Sequence, residues 1–307
     1  MTRRRGFALL AVLWVIVALT ALGVSLSLIA RQALGAARNR IELTRAEWRA
    51  EGCMAQMRAS IEVYLTSPPR VDVNGLSGWS ALDQLAAADA LRIGECEITF
   101  RAAGSRLDVN AADEQILETL LTGLRIEAPR RDSMVAALLD WRDADDDARD
   151  AGAERAWYLH AGRALPRNGN IADVAELRRI RGFEHIALDS VLDVEPGRVD
   201  LNHAPLVVIA SLPGLGDEAI SRISEMRYER MPVGDPSTFS GTLSPGARQQ
   251  LLGSFAELSR LTTTEPDAWI VTARASAGTP MVSAVVELRI VRAGVRAAIV
   301  RRRTGVV

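Results

Sequence analysis

The sequence contains no lysine, so all of its basic side chains are arginines. A chain without lysine has no P-loop lysine for phosphate, forms no Schiff base and has no serine–lysine catalytic pair. It also has only two cysteines and three histidines, too few for a typical metal cluster of thiolates and imidazoles. The net charge of −1 lacks the basic excess typical of proteins that bind nucleic acids. These absences disfavour several classes of enzyme and a general polyanion-binding protein.

The first thirty residues contain no acidic side chain, and their only charges come at the start. Residues 6–30 are uncharged. As a helix they would span about 37 Å, enough for a bilayer core of about 30 Å. Arg3, Arg4 and Arg5 precede this run, and positive charge favours the cytoplasmic side. A cleaved secretory signal has a shorter apolar core. We therefore expect a retained anchor, with the rest of the chain outside the cytoplasm.

The helical pattern continues beyond the apolar run. Leu34, Ile41 and Trp48 recur every seven residues, among Arg, Glu and Ala residues that favour helices. The prolines at 68–69 end the pattern. The sequence therefore predicts a single helix from residue 7 to about residue 65.

Alternating segments predict strands on both sides of a helical middle. The segment 95–110 predicts a β-hairpin that turns near Gly104. Three more strands are predicted near the C-terminus, over residues 267–275, 281–291 and 295–303. We therefore predict an α+β fold, in which a long N-terminal transmembrane and amphipathic helix packs on a small antiparallel sheet that carries a large all-α insertion.

The middle of the chain contains an internal repeat. Residues 107–123 and 199–215 are similar, and Asn110 and Asn202 occupy the same place in each. Each asparagine is predicted to cap a helix. The second copy continues into a glycine-containing turn, residues 212–216, that resembles the hairpin of a helix-hairpin-helix motif.

Two interpretations of this repeat are open. The first is a scaffold of small helical bundles built from similar helix pairs. The second is a membrane-tethered periplasmic DNA-binding receptor, in which the hairpin amides hold a phosphate. Asp217 and Glu218 follow the hairpin directly and would repel a phosphate. The sequence therefore favours the scaffold.

Residues 140–154 hold seven acidic side chains and two arginines. Asp143, Asp145 and Asp147 take positions 1, 3 and 5 of an EF-hand-like spacing, and Glu154 takes position 12. Position 6 is alanine rather than the glycine of a true EF-hand. The segment is either a calcium site with these four ligands or a solvated acidic loop.

The two cysteines lie far apart in the sequence. Cys53 falls on the predicted N-terminal helix and Cys96 just before the first predicted strand. The compartment outside the cytoplasm is oxidising, so a disulfide between them is one prediction. Two partly buried free thiols are the alternative.

The N-terminus resembles that of type IV pilins and pseudopilins, with a basic leader ending in Gly6, then Phe7 and a long hydrophobic helix. The resemblance implies that a prepilin peptidase cuts between Gly6 and Phe7 and methylates Phe7. Most such subunits have glutamate at the fifth mature residue, where this chain has Ala11. A carboxylate inside a bilayer needs a partner, so its absence suits a subunit with nothing above it.

The acidic stretch carries a closer resemblance. Asp140–Trp141 and the acids after it, Gly152–Glu154, Trp157–Tyr158 and Asn168–Gly169 resemble segments of the minor pseudopilin K family of type II secretion systems. The resemblance implies a non-enzymatic subunit at the tip of the pseudopilus, which starts or caps the filament during export of folded proteins. It also implies calcium in the helical insertion.

The same resemblance implies a location and a set of partners. The chain would cross the bacterial inner membrane once, with its globular region in the periplasm. Its partners would be the minor pseudopilins I and J, with H as a further candidate, the prepilin peptidase and the inner-membrane assembly platform. The outer-membrane secretin or the cargo would be further contacts, and no nucleic-acid partner is predicted.

The predicted organisation has seven segments. They are a leader (1–6), a transmembrane helix (7–30), its extension (31–65), the first part of the α/β domain (66–110), an α-helical insertion with the acidic loop (111–197), a second helix-hairpin-helix-like region (198–260) and the C-terminal strands (261–307).

Overall fold

The computed structural model describes residues 5–66, 78–84, 91–294 and 296–306. Its longest element is helix α1, Arg5–Thr66, which confirms the predicted single N-terminal helix. The apolar side chains from Leu10 to Ile29 on this helix are exposed. The helix is long and apolar enough to cross a membrane once.

Nine strands follow in the described part of the chain. They are β1 (Arg92–Ile93), β2 (Cys96–Ala102), β3 (Leu107–Asp108), β4 (Leu192–Asp193), β5 (Val199–Asp200), β6 (Thr262–Thr263), β7 (Trp269–Ala277), β8 (Val282–Ala293) and β9 (Arg296–Val306). Five of them form an antiparallel sheet of order β1–β2–β7–β8–β9. The last three strands confirm the three that the C-terminal pattern predicts.

One face of the sheet packs on the second half of α1. Alternate residues of β8, among them Val286 and Leu288, are buried against Ala50, Met57 and Ile61 of the helix. This alternation follows from the two-residue period of a strand, which directs every second side chain to the same face. The packing buries apolar surface from both elements and fixes the helix on the sheet.

Two contacts give the direction of α1 along the sheet. Ala46 packs against Ala277 at the end of β7, and Cys53 bridges to Cys96 at the start of β2. Because β7 is antiparallel to β2, the helix and β2 run in the same direction. The end of β2 at Ala102 therefore lies away from the exposed apolar half of α1. The helical insertion leaves the sheet at this distal end.

The predicted hairpin over 95–110 is wrong. β2 pairs with β1 and β7, whereas β3 pairs with β4 in parallel, 85 residues further along the chain. Gly104, at φ +82°, turns the chain away from β2, and its carbonyl accepts the N–H of Asp200. A side chain at Gly104 would collide with the backbone of Arg198. The turn residue was recognised correctly, but it leads into the insertion.

The insertion is helical and has an apolar core of its own. Its helices are α2 (Glu114–Gly123), α3 (Ala128–Arg142), α4 (Arg155–His160), a 3-10 helix (Val174–Arg179), α5 (Leu206–Ile209), α6 (Asp217–Tyr228), α7 (Pro236–Ser240), α8 (Pro245–Gly253) and α9 (Phe255–Leu261). Trp141, Leu138 and Leu120 are among its fully buried side chains. The architecture is therefore α+β, with a sheet domain and a helical insertion.

The insertion contains two units with equivalent contacts, residues 107–193 and 199–263. Each is closed by a parallel pair of two-residue strands, β3 with β4 in the first and β5 with β6 in the second. Arg142 donates to the carbonyls of residues 109 and 112 in the first unit, and Arg227 donates to those of residues 201 and 204 in the second. The sequence repeat thus corresponds to a structural one.

The repeated asparagines do not cap helices as predicted. The helix α2 is capped by Asp113, whose side chain accepts the N–H of Ile116, and the N-cap position of α5 is Pro205. Asn110 instead binds the N–H and the carbonyl of Ile171.

Asn202 binds the N–H and the carbonyl of Val233 in the same way. Each asparagine thus fastens a distant loop, because an amide side chain offers both a donor and an acceptor to an extended backbone. The segment between the arginine of each unit and the residue that the asparagine fastens spans 143–170 in the first unit and only 228–232 in the second.

His203 joins the insertion to the segment before the sheet. Its Nδ1 lies 2.7 Å from Oδ2 of Asp200, and its Nε2 lies 3.0 Å from Oδ2 of Asp83. The ring also meets the edge of Trp269. Burial alone would lower the pKa of His203, but the bonds to the two carboxylates raise it to about 9. The imidazolium therefore holds together two parts of the chain that are distant in sequence.

We expect the protein to lose stability in alkaline solution through this histidine. Its folded pKa of about 9 lies above the unfolded value of 6.5. Its contribution is therefore complete below about pH 6.5 and is lost as the pH rises through 9, by at most about 3 kcal/mol. Urea unfolding at several pH values should show that His203→Gln removes this part of the pH dependence. The exposed His185→Gln is the matched control, and an unchanged slope in His203→Gln would contradict the assignment.

Candidate functional site

Three carboxylates converge where the acidic loop leaves and rejoins the insertion. Asp140 lies in the last turn of α3, Asp143 follows its end, and Glu154 precedes α4. One oxygen of each lies within 4.8 Å of the others. In the part of the chain that the structure describes, this is the one group of three or more acidic, histidine or cysteine side chains that lie close enough together to hold a metal ion.

Asp140 is the anchor of this group. It is completely buried, and its Oδ2 accepts the N–H of Ala153 at 2.8 Å. Its Oδ1 accepts a hydrogen bond from the Arg149 guanidinium at 2.7 Å. A side chain at Gly152 would overlap Oδ2 of Asp140, so glycine is required there for the loop to close over the carboxylate.

Glu154 is 3% exposed, and its Oε1 has no hydrogen-bond partner among the described residues. Burial and then the negative charge of Asp140 raise the pKa of Glu154 to about 7. Oδ1 of Asp143 is likewise buried and unpaired. Buried carboxylate oxygens without a donor are costly, and a cation would relieve that cost.

The four ligands proposed from the EF-hand-like spacing are not brought together. Asp143 and Glu154 belong to the cluster, but Asp145 and Asp147 are exposed and outside it. Oδ1 of Asp145 accepts the N–H of Asp147 in a local turn. Ala148 at position 6 does not supply the turn of an EF-hand, and the chain turns later, at Ala151 with φ +61°.

Asp140 was missing from the predicted ligand set, although it lies in the same acidic stretch. Helical periodicity could have found it, because Asp140 follows Ala136 and Ala137 by four and three residues on the buried side of α3. An acidic residue on an apolar helix face needs a positive or hydrogen-bonding partner. That requirement is a stronger signal for a ligand than the spacing within an exposed loop.

The residues present fit a hard cation such as calcium. Calcium prefers carboxylate and carbonyl oxygens, which the three acids and the loop backbone offer. Two of these acids, Glu154 and Asp143, each have a buried oxygen without a hydrogen-bond partner in the described part of the chain. The next residue after Asp140, Trp141, is buried, and its indole N–H donates to the buried Glu176.

The hairpin at 212–216 is covered by other parts of the insertion. A side chain at Gly214 would meet Ser254, and one at Gly216 would meet Gln250. The adjacent cleft of about 370 Å³ is lined in part by Asp113 and Glu257. The negative charge of these two acids does not suit a phosphate, which agrees with the interpretation of this region as a scaffold.

The other predicted site residues lie along or beside α1. Cys53 of α1 is bridged to Cys96, with Cα atoms 6.4 Å apart, so the structure contains the predicted disulfide. Ala11 is exposed in the apolar half of the helix. Gly6 and Phe7 are in the first turn of α1.

The fold thus combines a long, half-exposed N-terminal helix packed on an antiparallel sheet with a helical insertion. Residues 70–192 match the family model for protein K of the type II secretion system. The fold is similar to a chain in the crystal structure of the GspK–GspI–GspJ complex of the enterotoxigenic Escherichia coli type 2 secretion system. The TM-score is 0.64 at 16% identity, covering 87% of this chain and 98% of that one.

No curated protein matches the chain significantly in sequence. The family-model match over residues 70–192 is to protein K of the type II secretion system, and the likeness of fold to a chain of the GspK–GspI–GspJ complex agrees with it.

Proposed function

We propose that this protein is a minor pseudopilin that caps the tip of the type II secretion pseudopilus during export of folded proteins across the outer membrane. It crosses the inner membrane once through α1, and its sheet and insertion lie in the periplasm. It assembles with the minor pseudopilins I and J, the two proteins named with GspK in the similar complex. The role is structural and requires no catalytic group.

The uncovered face of α1 is the observation that carries this proposal. Leu34, Ile41 and Trp48 lie in line on the helix and are 60%, 54% and 74% exposed. They continue the exposed apolar surface of the membrane-spanning half beyond the bilayer. A row of large apolar side chains on a helix favours packing against other helices. Helices of neighbouring subunits that rise from the same membrane would cover it.

The place of the insertion supports a position at the tip. It leaves the sheet at Ala102, on the side away from the membrane. A further subunit added above would meet the insertion. Ala11 agrees with this position, since it provides no carboxylate for a subunit above. By the resemblance of the leader, the prepilin peptidase would release and methylate Phe7.

We also propose that the cluster of Asp140, Asp143 and Glu154 binds calcium. A bound calcium ion would neutralise the three carboxylates and join the end of α3 to the start of α4. Asp140 would remain oriented by the N–H of Ala153, and Glu154 would gain a partner for its unpaired oxygen. We regard the two units of the insertion as divergent helix-hairpin-helix repeats that serve as a scaffold and bind no DNA.

Co-purification from membranes tests the assembly. The full chain, expressed with pseudopilins I and J, should retain both in detergent, and Trp48→Glu should lower their recovery about tenfold, because it places a charge on the apolar face. Leu159→Glu is the matched control, since Leu159 is similarly exposed at 58% but lies in the insertion. Equal recovery with Trp48→Glu and the wild type would contradict the proposal.

Labelling of assembled filaments tests the position. Gold particles against this subunit should mark one end only, and Ala11→Glu should disturb that order, whereas Ala11→Gln, which adds similar bulk without charge, should not. Label along the shaft of wild-type filaments would be incompatible with a capping role.

A further inference from the structure

A guanidinium fills the space between two acids of the candidate metal site. Nη1 of Arg149 donates to Oδ1 of Asp140 at 2.7 Å and to Oδ2 of Asp143 at 2.5 Å. Arg149 is the third residue before Gly152, within the acidic loop itself. The loop thus carries its own positive charge to the point where the carboxylates meet.

The guanidinium neutralises the cluster only in part. Three carboxylates face one arginine, and Oε1 of the buried Glu154 has no partner in the described chain. The hydrogen bonds to Asp143 and Asp140 raise the pKa of Arg149, so it stays charged. Arg149 therefore binds two of the three carboxylates and leaves an oxygen of Glu154 without a hydrogen-bond partner.

We propose that Arg149 is a built-in substitute cation, which competes with a divalent cation for Asp140 and Asp143 and must leave before the metal binds. This inference rests on the calcium site proposed above. It assigns Arg149 a positioning and regulatory role and leaves the ligands to the three carboxylates.

Competition follows from charge and from the number of oxygens. Calcium takes six to eight oxygen ligands, so it would draw on the carboxylates of Asp140 and Asp143. The guanidinium already occupies one oxygen of each, Oδ1 of Asp140 and Oδ2 of Asp143. Two positive groups cannot share a partly buried site without strong repulsion. Binding of the metal therefore requires that the arginine side chain moves out.

The Arg149 side chain can leave the site without unfolding of the loop. The Arg149 side chain is 41% exposed, so it can turn into water. The carbonyl of Arg149 accepts the N–H of Gly152 at 2.9 Å, and Asp140 keeps its bond from Ala153. These backbone contacts hold the loop while the side chain exchanges.

The exchange has two consequences. Without metal, Arg149 keeps the loop closed and limits the repulsion between the acids. With metal, the cost of removing the arginine weakens the apparent affinity and raises the concentration at which the site fills. A variant without the guanidinium should therefore bind calcium more tightly and be less stable when calcium is absent.

Calorimetric titration of the full chain in a neutral detergent with calcium chloride, after removal of metal by chelator, tests this. We expect Arg149→Gln to tighten the apparent Kd about tenfold and to lower the Tm of the calcium-free protein. Arg149→Lys keeps a competing cation and should bind calcium less tightly than Arg149→Gln. Arg155→Gln, which removes an exposed arginine of the same segment, should behave as the wild type.

The outcomes are distinct. Wild-type or weaker calcium affinity in a folded Arg149→Gln protein, or equal affinity in Arg149→Gln and Arg149→Lys, overturns the role of Arg149 while the metal site stands. Absence of binding in every variant, the wild type included, overturns the metal site and this inference with it.

Discussion

Replacement of Cys53 and Cys96 together by serine is expected to lower the free energy of unfolding by about 4 kcal/mol. The bridge joins positions 43 residues apart. A cross-link of that span removes loop-closure entropy from the unfolded chain worth about 4 kcal/mol. It also fastens α1 to β2, so its loss should loosen the helix on the sheet. The effect is large, since the total stabilities of folded proteins are only about 5–15 kcal/mol.

Urea unfolding of the full chain in detergent, followed by tryptophan fluorescence, measures this effect. Cys53→Ser alone should be as destabilising as the double variant, because either change removes the bridge. Wild-type protein treated with reductant should approach the same value. A loss below about 1 kcal/mol would show that the bridge contributes little to the folded state.

Asp140→Asn should have the second large effect. The substitution removes the charge that pairs with Arg149, and an amide can offer only one oxygen where the carboxylate offers two. Hydrogen bonds to a buried charge are worth about 2–3 kcal/mol, so we expect a loss of that size. The variant should also lose any rise in Tm on addition of calcium.

Asp150→Asn is the matched control for this prediction. Asp150 lies in the same loop but is exposed, so its substitution should leave both stability and the response to calcium unchanged. If Asp140→Asn were as stable as Asp150→Asn, the convergence of the three acids would have no energetic importance.

The parts of the fold with a long periodic pattern could be predicted from the sequence. α1 and the strands β7, β8 and β9 follow from helical and alternating patterns that continue for nine residues or more. The two-residue strands could not be predicted, because β3 and β4 are set by a partner far along the chain. The role of Asn110 and Asn202 was missed for the same reason, since each binds a loop that the local sequence does not identify.

The sequence identified the acidic loop correctly but did not identify, as one set, the three carboxylates that converge, Asp140, Asp143 and Glu154. The density of acids identified the loop, because like charges in such number need water or a cation. The spacing rule then selected Asp145 and Asp147, which depend on an EF-hand turn that Ala148 does not provide. The disulfide was left open because the sequence does not give the distance between Cys53 and Cys96.

The two units of the insertion share their arginine and asparagine contacts but differ in the length of one connecting segment. Each unit is held by its own arginine and asparagine, whether the intervening link is 143–170 or the short 228–232. The longer link contains Asp143 and Glu154, two of the three converging carboxylates, and Arg149, whereas Asp140 lies just before it at the end of α3. Substitutions within this single link can therefore remodel the candidate metal site, while the arginine and asparagine contacts of the unit hold its scaffold unchanged.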